Sequence, residues 1–387
     1  MSRDKTSKPA FQLARVGEGE LYEQTEIVTV DGPSSGGMTR RKFLGAGITA
    51  AAALVFLDGC AITPNEPTAP TTSVTPIAGT VHAEHCALRA HKAPVSSVSI
   101  SPDGKWLASG STDNTIKLWS LPEGALVKTL EGHKSFVRSV SISPDGKWLA
   151  SGSVDETIKL WSLPEGALVK TLEEQSIVNT VSISPDGKWL VSGSWDNTIK
   201  LWSLPEGALV KILNGHKDLV RSVSISPDGK WLASGSWDNT IKLWSLPEGV
   251  LVKTLKAHKK PVSSVSISPD GKWLASGSWD NTIKLWSLPE GVLVKTLAGH
   301  ERLVNSVSIS PDGKWLASGG SDKTINLWSL PEGALVKTLE GYEKNVLSVS
   351  ISPDGKWLVL GSYDKTIRLW SLPDGESISC LSDILVP

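Results

Sequence analysis

Ser101-Pro102-Asp103-Gly104-Lys105-Trp106-Leu107 decides the fold, because the same seven-residue phrase occurs seven times in the chain. Its Trp falls in steps of 41 or 42 residues, at positions 106, 148, 189, 231, 273, 315 and 357. A second Trp follows 13 residues later in every copy, at positions 119, 161, 202, 244, 286, 328 and 370. Repetition at a fixed period of this length predicts an array of one structural unit.

Each copy is predicted to form four short strands. In the first copy, residues 95–101 alternate Val and Ile with Ser, which is the two-residue period of a strand. Pro-Asp-Gly then makes a tight turn, and residues 106–111, 115–119 and 125–130 supply the next three strands between further turns. Because every connection is short, the strands are expected to pair antiparallel as a meander.

The fold class predicted from these units is all-β, a seven-bladed β-propeller of four-stranded antiparallel blades. One small sheet cannot bury two apolar faces alone, but a ring of such sheets can, and closure removes the need for end caps. A solenoid is the main rival architecture, and four strands per repeat argue against it.

The repeats resemble the WD-repeat family over roughly residues 82 to 381. That family's pattern is Gly-His, a Ser or Thr in the second strand, an Asp in the next turn and a closing Trp-Asp, although Ser replaces the last Asp in all seven copies here. The matching residues are His91, Ser109, Asp113 and Trp119; His133, Ser151, Asp155 and Trp161; His216, Ser234, Asp238 and Trp244; His258, Ser276, Asp280 and Trp286; and His300, Ser318, Asp322 and Trp328.

These side chains are interpreted as five structural tetrads. Ser, His and Asp are also the residues of a hydrolase triad. Five copies of a triad in one protein would make no sense, whereas a hydrogen-bonded chain inside each blade gives every buried polar group a partner. The third copy has Gln175 near the place of the His, and the seventh has Tyr342 for His and Leu360 for Ser. Those two networks are expected to be incomplete and their blades the weakest.

The positions that vary between copies are the candidates for partner binding. The residue before the turn Asp is a Trp in three successive copies, and the resemblance places this position at the rim of the top face of the ring. Exposed aromatic side chains are costly unless covered, and Trp and Arg are frequent interface hot spots. A duplication that copied one Trp without use is the alternative. The predicted partner-binding residues are Trp195, Trp237, Trp279, Tyr363, Phe136, Arg138, Leu219, Arg221 and Leu303.

The composition favours a binding protein without chemistry of its own. A formal net charge of −1 gives no electrostatic reason to expect nucleic acid. The chain contains no phosphate loop, zinc spacing or nucleophile elbow, and its Asp-Gly turns lack the spaced acidic residues of calcium loops. The expected function is therefore a scaffold for unknown protein partners, with no cofactor and no metal. A module that binds cell-envelope glycan through exposed Trp is the alternative, and an enzyme is the least favoured class.

The N-terminal region resembles an export signal. Residues 39–44, with Arg40 and Arg41, resemble the twin-arginine motif, and the apolar run that follows is shorter than the roughly 20 residues of a membrane span. The stretch ending at Cys60 resembles a lipobox, whose Cys is lipidated; an uncleaved anchor and cleavage without lipid are the alternatives. The resemblance implies an exported protein tethered at the extracytoplasmic face of a bacterial membrane.

Four segments follow from this division of the chain. They are a polar N-terminal region with the twin-arginine motif at 1–42, a hydrophobic signal region and lipobox at 43–60, a Pro- and Thr-rich tether at 61–80 and the propeller at 81–387. Met38 is an alternative start to Met1. The last strand of the seventh blade comes either from residues 376–381 or from residues 84–88. If both segments lie at that seam, Cys86 and Cys380 could form a disulfide; otherwise they are two unpaired thiols.

Overall fold

The computed structural model describes residues 87–121, 123–256 and 258–372. Their 28 strands form seven sheets of four antiparallel strands each, which confirms the predicted all-β, seven-bladed propeller. The segments 1–42, 43–60 and 61–80, and with them Arg40, Arg41 and Cys60, lie outside the described residues, as do Cys86 and Cys380.

The first strand in the chain belongs to the seventh blade, and the remaining strands form the first to the seventh blade in chain order. They are β1 (Ala87–Arg89), β2 (Val95–Ile100), β3 (Trp106–Ser111), β4 (Ile116–Ser120), β5 (Leu126–Leu130), β6 (Val137–Ile142), β7 (Trp148–Ser153), β8 (Thr157–Ser162), β9 (Leu168–Glu173), β10 (Val178–Ile183), β11 (Trp189–Ser194), β12 (Ile199–Ser203), β13 (Leu209–Leu213), β14 (Val220–Ile225), β15 (Trp231–Ser236), β16 (Ile241–Ser245), β17 (Leu251–Leu255), β18 (Val262–Ile267), β19 (Trp273–Ser278), β20 (Thr282–Ser287), β21 (Val292–Ala298), β22 (Val304–Ile309), β23 (Trp315–Gly320), β24 (Ile325–Ser329), β25 (Leu335–Leu339), β26 (Val346–Ile351), β27 (Trp357–Ser362) and β28 (Thr366–Ser371).

The first strand of each blade is the innermost. These strands contact one another in the order β2, β6, β10, β14, β18, β22, β26 and back to β2, so the blades form a closed ring. The apolar core lies between neighbouring blades: Ile116 and Leu118 of the first pack with Val137 and Leu149 of the second, and equivalent clusters fill the other interfaces. Gly110 permits this approach, because a Cβ there would lie 2.7 Å from Val137 Cγ1.

Serine hydroxyls link the inner strands of neighbouring blades. An inner strand is the edge of its sheet, so the N–H groups on its free side have no partner within that sheet. The Val140 N–H donates to Ser97 Oγ at 3.1 Å, and the Ile142 N–H donates to Ser99 Oγ at 3.2 Å. The same pairing recurs between further neighbours, for example from Val307 to Ser264. The alternating Ser residues of the repeat therefore satisfy the edge of the next blade.

The ring closes through the N-terminal strand. β1 pairs antiparallel with β28, with Leu88 opposite Ile367 and Arg89 opposite Thr366. Of the two segments considered for the last strand of the seventh blade, the structure places the N-terminal one there, at Ala87–Arg89. The seventh blade thus combines the beginning and the end of the described chain.

Candidate functional site

The top face of the propeller is the face at which the second strand of each blade ends and the third begins. In the fourth blade, the tetrad lies just beneath it. The Trp244 Nε1–H donates to Ser234 Oγ at 2.9 Å, His216 Nε2 lies 2.8 Å from the same oxygen, and His216 Nδ1 lies 2.8 Å from Asp238 Oδ2. The structure brings the corresponding side chains of the first, second, fifth and sixth blades together at 2.7–2.9 Å.

The electrostatics of this tetrad favour a neutral imidazole beside a carboxylate. Burial lowers the pKa of His216 and outweighs the opposing effect of the hydrogen bond that His216 donates to Asp238. Burial alone would raise the pKa of Asp238, but hydrogen bonds from His216, Thr240 and the Lys217 amide hold that pKa well below its usual range. With Trp244 donating to the Ser234 oxygen, the hydroxyl can donate to Nε2 and the Nδ1–H to the carboxylate, so each group has a partner.

The tetrads act as braces for the top-face loops. Ser234 is completely buried, and its oxygen already accepts the indole N–H, so it cannot approach a substrate. The same Asp238 Oδ2 accepts the Lys217 N–H at 2.9 Å, which ties the loop before the first strand to the turn after the second. The arrangement fixes the loops of the face in place.

The third blade has a complete network of different composition. The repeat pattern predicts Gln175 near the place of His and an incomplete network. Instead, Glu174 is buried there: the Ser192 hydroxyl donates to its Oε1 at 2.5 Å, and the Lys200 ammonium donates to its Oε2. Trp202 Nε1–H still donates to Ser192 at 3.0 Å. Burial raises the pKa of Glu174, and the adjacent carboxylate raises the pKa of Lys200.

The seventh blade is also braced. The Trp370 Nε1–H donates directly to the Tyr342 hydroxyl at 2.8 Å, which bypasses the missing Ser at Leu360. The Arg368 guanidinium lies 4.4 Å from the centre of the Tyr342 ring and donates to the Gly341 carbonyl at 2.6 Å. Among the described residues, Asp364 Oδ2 and Arg368 Nε of this blade are buried without a hydrogen-bond partner. The expectation of an incomplete network is therefore confirmed for the seventh blade, although the longer phenol reaches the indole where His and Ser are absent.

Three indoles lie on the top face of the third, fourth and fifth blades. The backbone N–H groups of Trp195, Trp237 and Trp279 donate to backbone carbonyls that precede the inner strand of the same blade. Trp195 is 45% exposed, and the other two are half-buried against each other, with ring centroids 4.9 Å apart. The structure thus pairs two of the three predicted contact residues and leaves the third open to solvent.

The indole N–H groups differ in what they meet. Trp195 Nε1–H donates at 2.8 Å to Asn179 Oδ1, and the Asn179 amide in turn donates to the Val220 carbonyl of the next blade. Sequence reasoning left Asn179 out, although it stands at one of the variable positions. Trp237 Nε1 is buried and has no acceptor among the described residues; the residue at the place of Asn179 is Arg221, whose guanidinium can only donate.

The remaining predicted contact residues do not share one environment. Phe136 is 40% exposed on the second blade, whereas Leu219 is 7% exposed and offers no open surface. Leu303 is half-buried. The Lys344 ammonium lies 5.6 Å from the centre of the Tyr363 ring. Arg138 and Arg221 are half-buried at the irregular second residue of their inner strands.

The described residues contain neither a candidate metal centre nor a membrane-spanning helix. No group of three or more His, Cys, Asp or Glu side chains among them could hold a metal ion. In that same part of the chain, no helix is long and apolar enough to cross a membrane.

Seven four-stranded blades in a closed ring, with buried braces under one face, define a β-propeller assembled from repeats. The chain belongs to the WD40 family: the family model described as "WD domain, G-beta repeat" matches it seven times, over more than half of its length. The matched residues are 84–120, 124–162, 166–203, 207–245, 249–287, 291–329 and 333–371.

The curated relatives share only a short stretch with the chain. A protein named "Ribosome biogenesis protein BOP1 homolog" from Dictyostelium discoideum is 56% identical over 41 residues, which is 11% of this chain and 5% of that relative. Proteins of the same name are 48% identical over 42 residues in Monosiga brevicollis and 42% identical over 48 residues in Drosophila melanogaster. These stretches cover 11% and 12% of this chain and 5% and 6% of the relatives.

These relatives correct the predicted location. They are eukaryotic proteins named for ribosome biogenesis, and ribosomes are not made at the outer face of a bacterial membrane. On this comparison the predicted export signal, twin-arginine translocation, lipoprotein anchor and extracytoplasmic location are wrong. The predicted membrane attachment and the cell-envelope glycan partner are wrong for the same reason.

Proposed function

We propose that the chain is a non-enzymatic scaffold that binds protein partners through its top face. The observation that carries the proposal is the aromatic surface of Trp195, Trp237 and Trp279, which the fold displays on three adjacent blades. Exposure of an apolar indole surface to water is unfavourable, and a partner that covers this surface gains binding free energy. The family membership supports a binding role, because the repeat builds a rigid platform with variable loops.

The unsatisfied indole of Trp237 supports the same surface. A buried N–H without an acceptor costs roughly 1–3 kcal/mol. Because Nε1 is buried, a carbonyl or carboxylate of a partner accepts from it only when the Trp237 ring turns outward on binding, and the new hydrogen bond then removes that cost. This favours a peptide-like partner with acceptor groups spaced among apolar side chains.

The absence of catalysis is part of the proposal and rests on the tetrads. Their Ser, His and Asp side chains have the composition of a hydrolase site, but the Ser oxygens are fully buried and already accept an indole N–H. A nucleophile must reach its substrate. The role named for the relatives is not carried over to this chain, because the shared stretch is about one repeat long.

The test is a crosslinking capture of partners from cells that make this protein. The intact chain is compared with a Trp195→Ala, Trp237→Ala, Trp279→Ala variant. A control variant carries Val169→Ala, Val210→Ala and Val252→Ala on the outer strands, where three large apolar side chains are also exposed to solvent. Unfolding curves first establish that all three proteins fold.

A protein partner that binds the intact chain and the outer-strand control, but not the Trp variant, is the expected result. A partner that binds all three equally would remove the Trp surface from the proposal. Turnover of any substrate by the purified chain that a Ser234→Ala change abolishes would overturn the non-enzymatic role.

A further inference from the structure

The fourth blade carries a pocket that the proposed partner surface does not include. It has a volume of about 480 Å³ and opens beside the turn that follows Trp237. Three lysines line it: Lys217 from the loop before the inner strand, Lys242 from the third strand and Lys256 from the end of the outer strand. Thr254 lines the same wall. Three separate segments thus bring three lysine residues to the lining of one cavity.

The negative charge in this pocket is already engaged. Asp238 is its single lining carboxylate, and its Oδ2 accepts from His216 and from the Lys217 amide. Its Oδ1 accepts from the Thr240 amide and hydroxyl at 2.9 and 2.6 Å. Three ammonium groups against one carboxylate leave the lining with an excess of positive charge.

Lys242 is the member of this cluster that is held away from solvent. The residue is 7% exposed, and its Nζ donates to Thr254 Oγ1 at 2.9 Å. Burial, followed by the charges of Lys256 and Lys217, lowers the pKa of Lys242 against the opposing pull of Asp238. A buried ammonium held among like charges is stabilised when an anion joins it.

The other blades show what the same position holds without such a cluster. The residue directly after the outer strand or at its last position is Glu131, Glu173, Asn214, Lys256, Ala298 and Glu340 in the first six blades. The first and second blades therefore place a carboxylate where the fourth places its third lysine. In the fifth blade, where Ala298 stands, the corresponding cavity is only about 220 Å³.

We infer that the pocket of Lys217, Lys242, Lys256 and Thr254 binds a phosphate-type oxyanion. Three ammonium groups less one carboxylate match the charge of about −1.5 to −2 that a phosphoryl group carries at neutral pH. Lysine binds phosphate as a point charge, and Thr254 can donate its hydroxyl hydrogen. The occupant is either free phosphate or a phosphoryl group on a protein. The site stands independently of the Trp surface.

The test uses the purified full-length chain and inorganic phosphate. Binding is measured by titration calorimetry in a phosphate-free buffer, with chloride added to keep the ionic strength constant, because screening weakens all such contacts. The variant Lys256→Glu gives the fourth blade the residue of the first two. Lys314→Glu is the matched control, since it makes the same charge change at a lysine of the Asp-Gly turn that is 74% exposed.

Saturable phosphate binding by the intact chain and by Lys314→Glu, weakened at least about tenfold in Lys256→Glu, is the expected result. Lys217→Ala, at an exposed loop position, should weaken binding as well and guards against a folding defect in the first variant. No saturable binding by the intact chain, or equal binding by all variants, would overturn the site.

A second arm separates the two sources of the phosphoryl group. Phosphoserine and serine versions of one short peptide are titrated against the same proteins. Tighter binding of the phosphoserine peptide than of inorganic phosphate supports a protein-borne group, and equal or weaker binding supports free phosphate. Both results require the loss in Lys256→Glu.

Discussion

A single buried hydroxyl joins each tetrad. Ser234 accepts from the Trp244 indole and contacts His216, while Asp238 carries the connection on to the loop amide of Lys217. Removing the hydroxyl leaves two buried polar groups without a partner, and each such group costs roughly 1–3 kcal/mol. The serine therefore matters more to the blade than the size of its side chain indicates.

We predict that Ser234→Ala lowers the free energy of unfolding by about 2–4 kcal/mol, since both neighbours lose a partner. Trp244→Phe removes the indole donor in advance, so the two changes together should cost less than their sum. Denaturant unfolding of the two single variants and the double variant measures this. Strict additivity would mean that Ser234 and Trp244 do not depend on each other.

At this scale the sequence predicted the five regular tetrads but not their substitutes. Period and residue type identify His, Ser, Asp and Trp in five copies. The third copy is one residue short before its inner strand, but Glu174 lies 18 residues before Ser192, the same spacing that separates His133 from Ser151. Counting back from the Ser would therefore have identified Glu174 rather than Gln175. The lysine pocket was missed because its three members lie in separate segments that only the folded blade unites.

The turn between the second and third strands is the element with the clearest local constraint. Its third residue has positive φ in every blade: Asn at four of the seven positions, but Glu156, Lys323 and Lys365 at the others, with φ of 64°, 68° and 75°. Asn tolerates the left-handed region better than most residues with a Cβ, because its short side chain can hydrogen-bond locally. These three turns are therefore strained relative to the other four.

We predict that Lys323→Asn and Lys365→Asn each raise the free energy of unfolding by about 0.5 kcal/mol, because Asn suits this backbone better. The reverse change, Asn114→Lys at φ 71°, should lower it by a similar amount. Guanidinium unfolding at fixed pH compares the variants. A gain from Lys323→Asn without a loss from Asn114→Lys would point to the removed charge rather than to the backbone.

The strands were predicted from the sequence, but the contacts between neighbouring blades were not. Alternating Val and Ser marks a strand, and the pattern alone says which face is apolar. It does not say that Ser97 and Ser99 face the amides of the next blade, because that contact forms only when two blades meet. Leu219 was expected to be a contact residue on sequence position alone, yet packing buries it.

For the whole molecule, ring closure is the decisive feature. Seven interfaces are formed only if the seventh blade meets the first, and β1 supplies the outer strand of that last blade. Repeat architectures gain stability from such nearest-neighbour contacts. The number of repeats identified the ring, whereas the choice of closing segment could not be read from the repeat, because both candidates fitted it.

We predict that a chain beginning at Ala90 unfolds several degrees below one beginning at Ala87, since it leaves the outer edge of β28 unpaired. Differential scanning calorimetry of the two proteins at equal concentration measures the difference. The longer chain is the control for loss of the preceding segment. Identical unfolding temperatures would show that β1 adds nothing to the closed ring.

The pairing of β1 with β28 also sets an order of events during synthesis. A ribosome makes β1 before any blade and β28 after almost all of the propeller. The first strand must therefore stay available until β28 has been made, while six blades can already fold behind it. The ring is thus completed only once β28 has been made, and a nascent chain stalled before Thr366 would present an open seam to whatever binds unpaired strand edges.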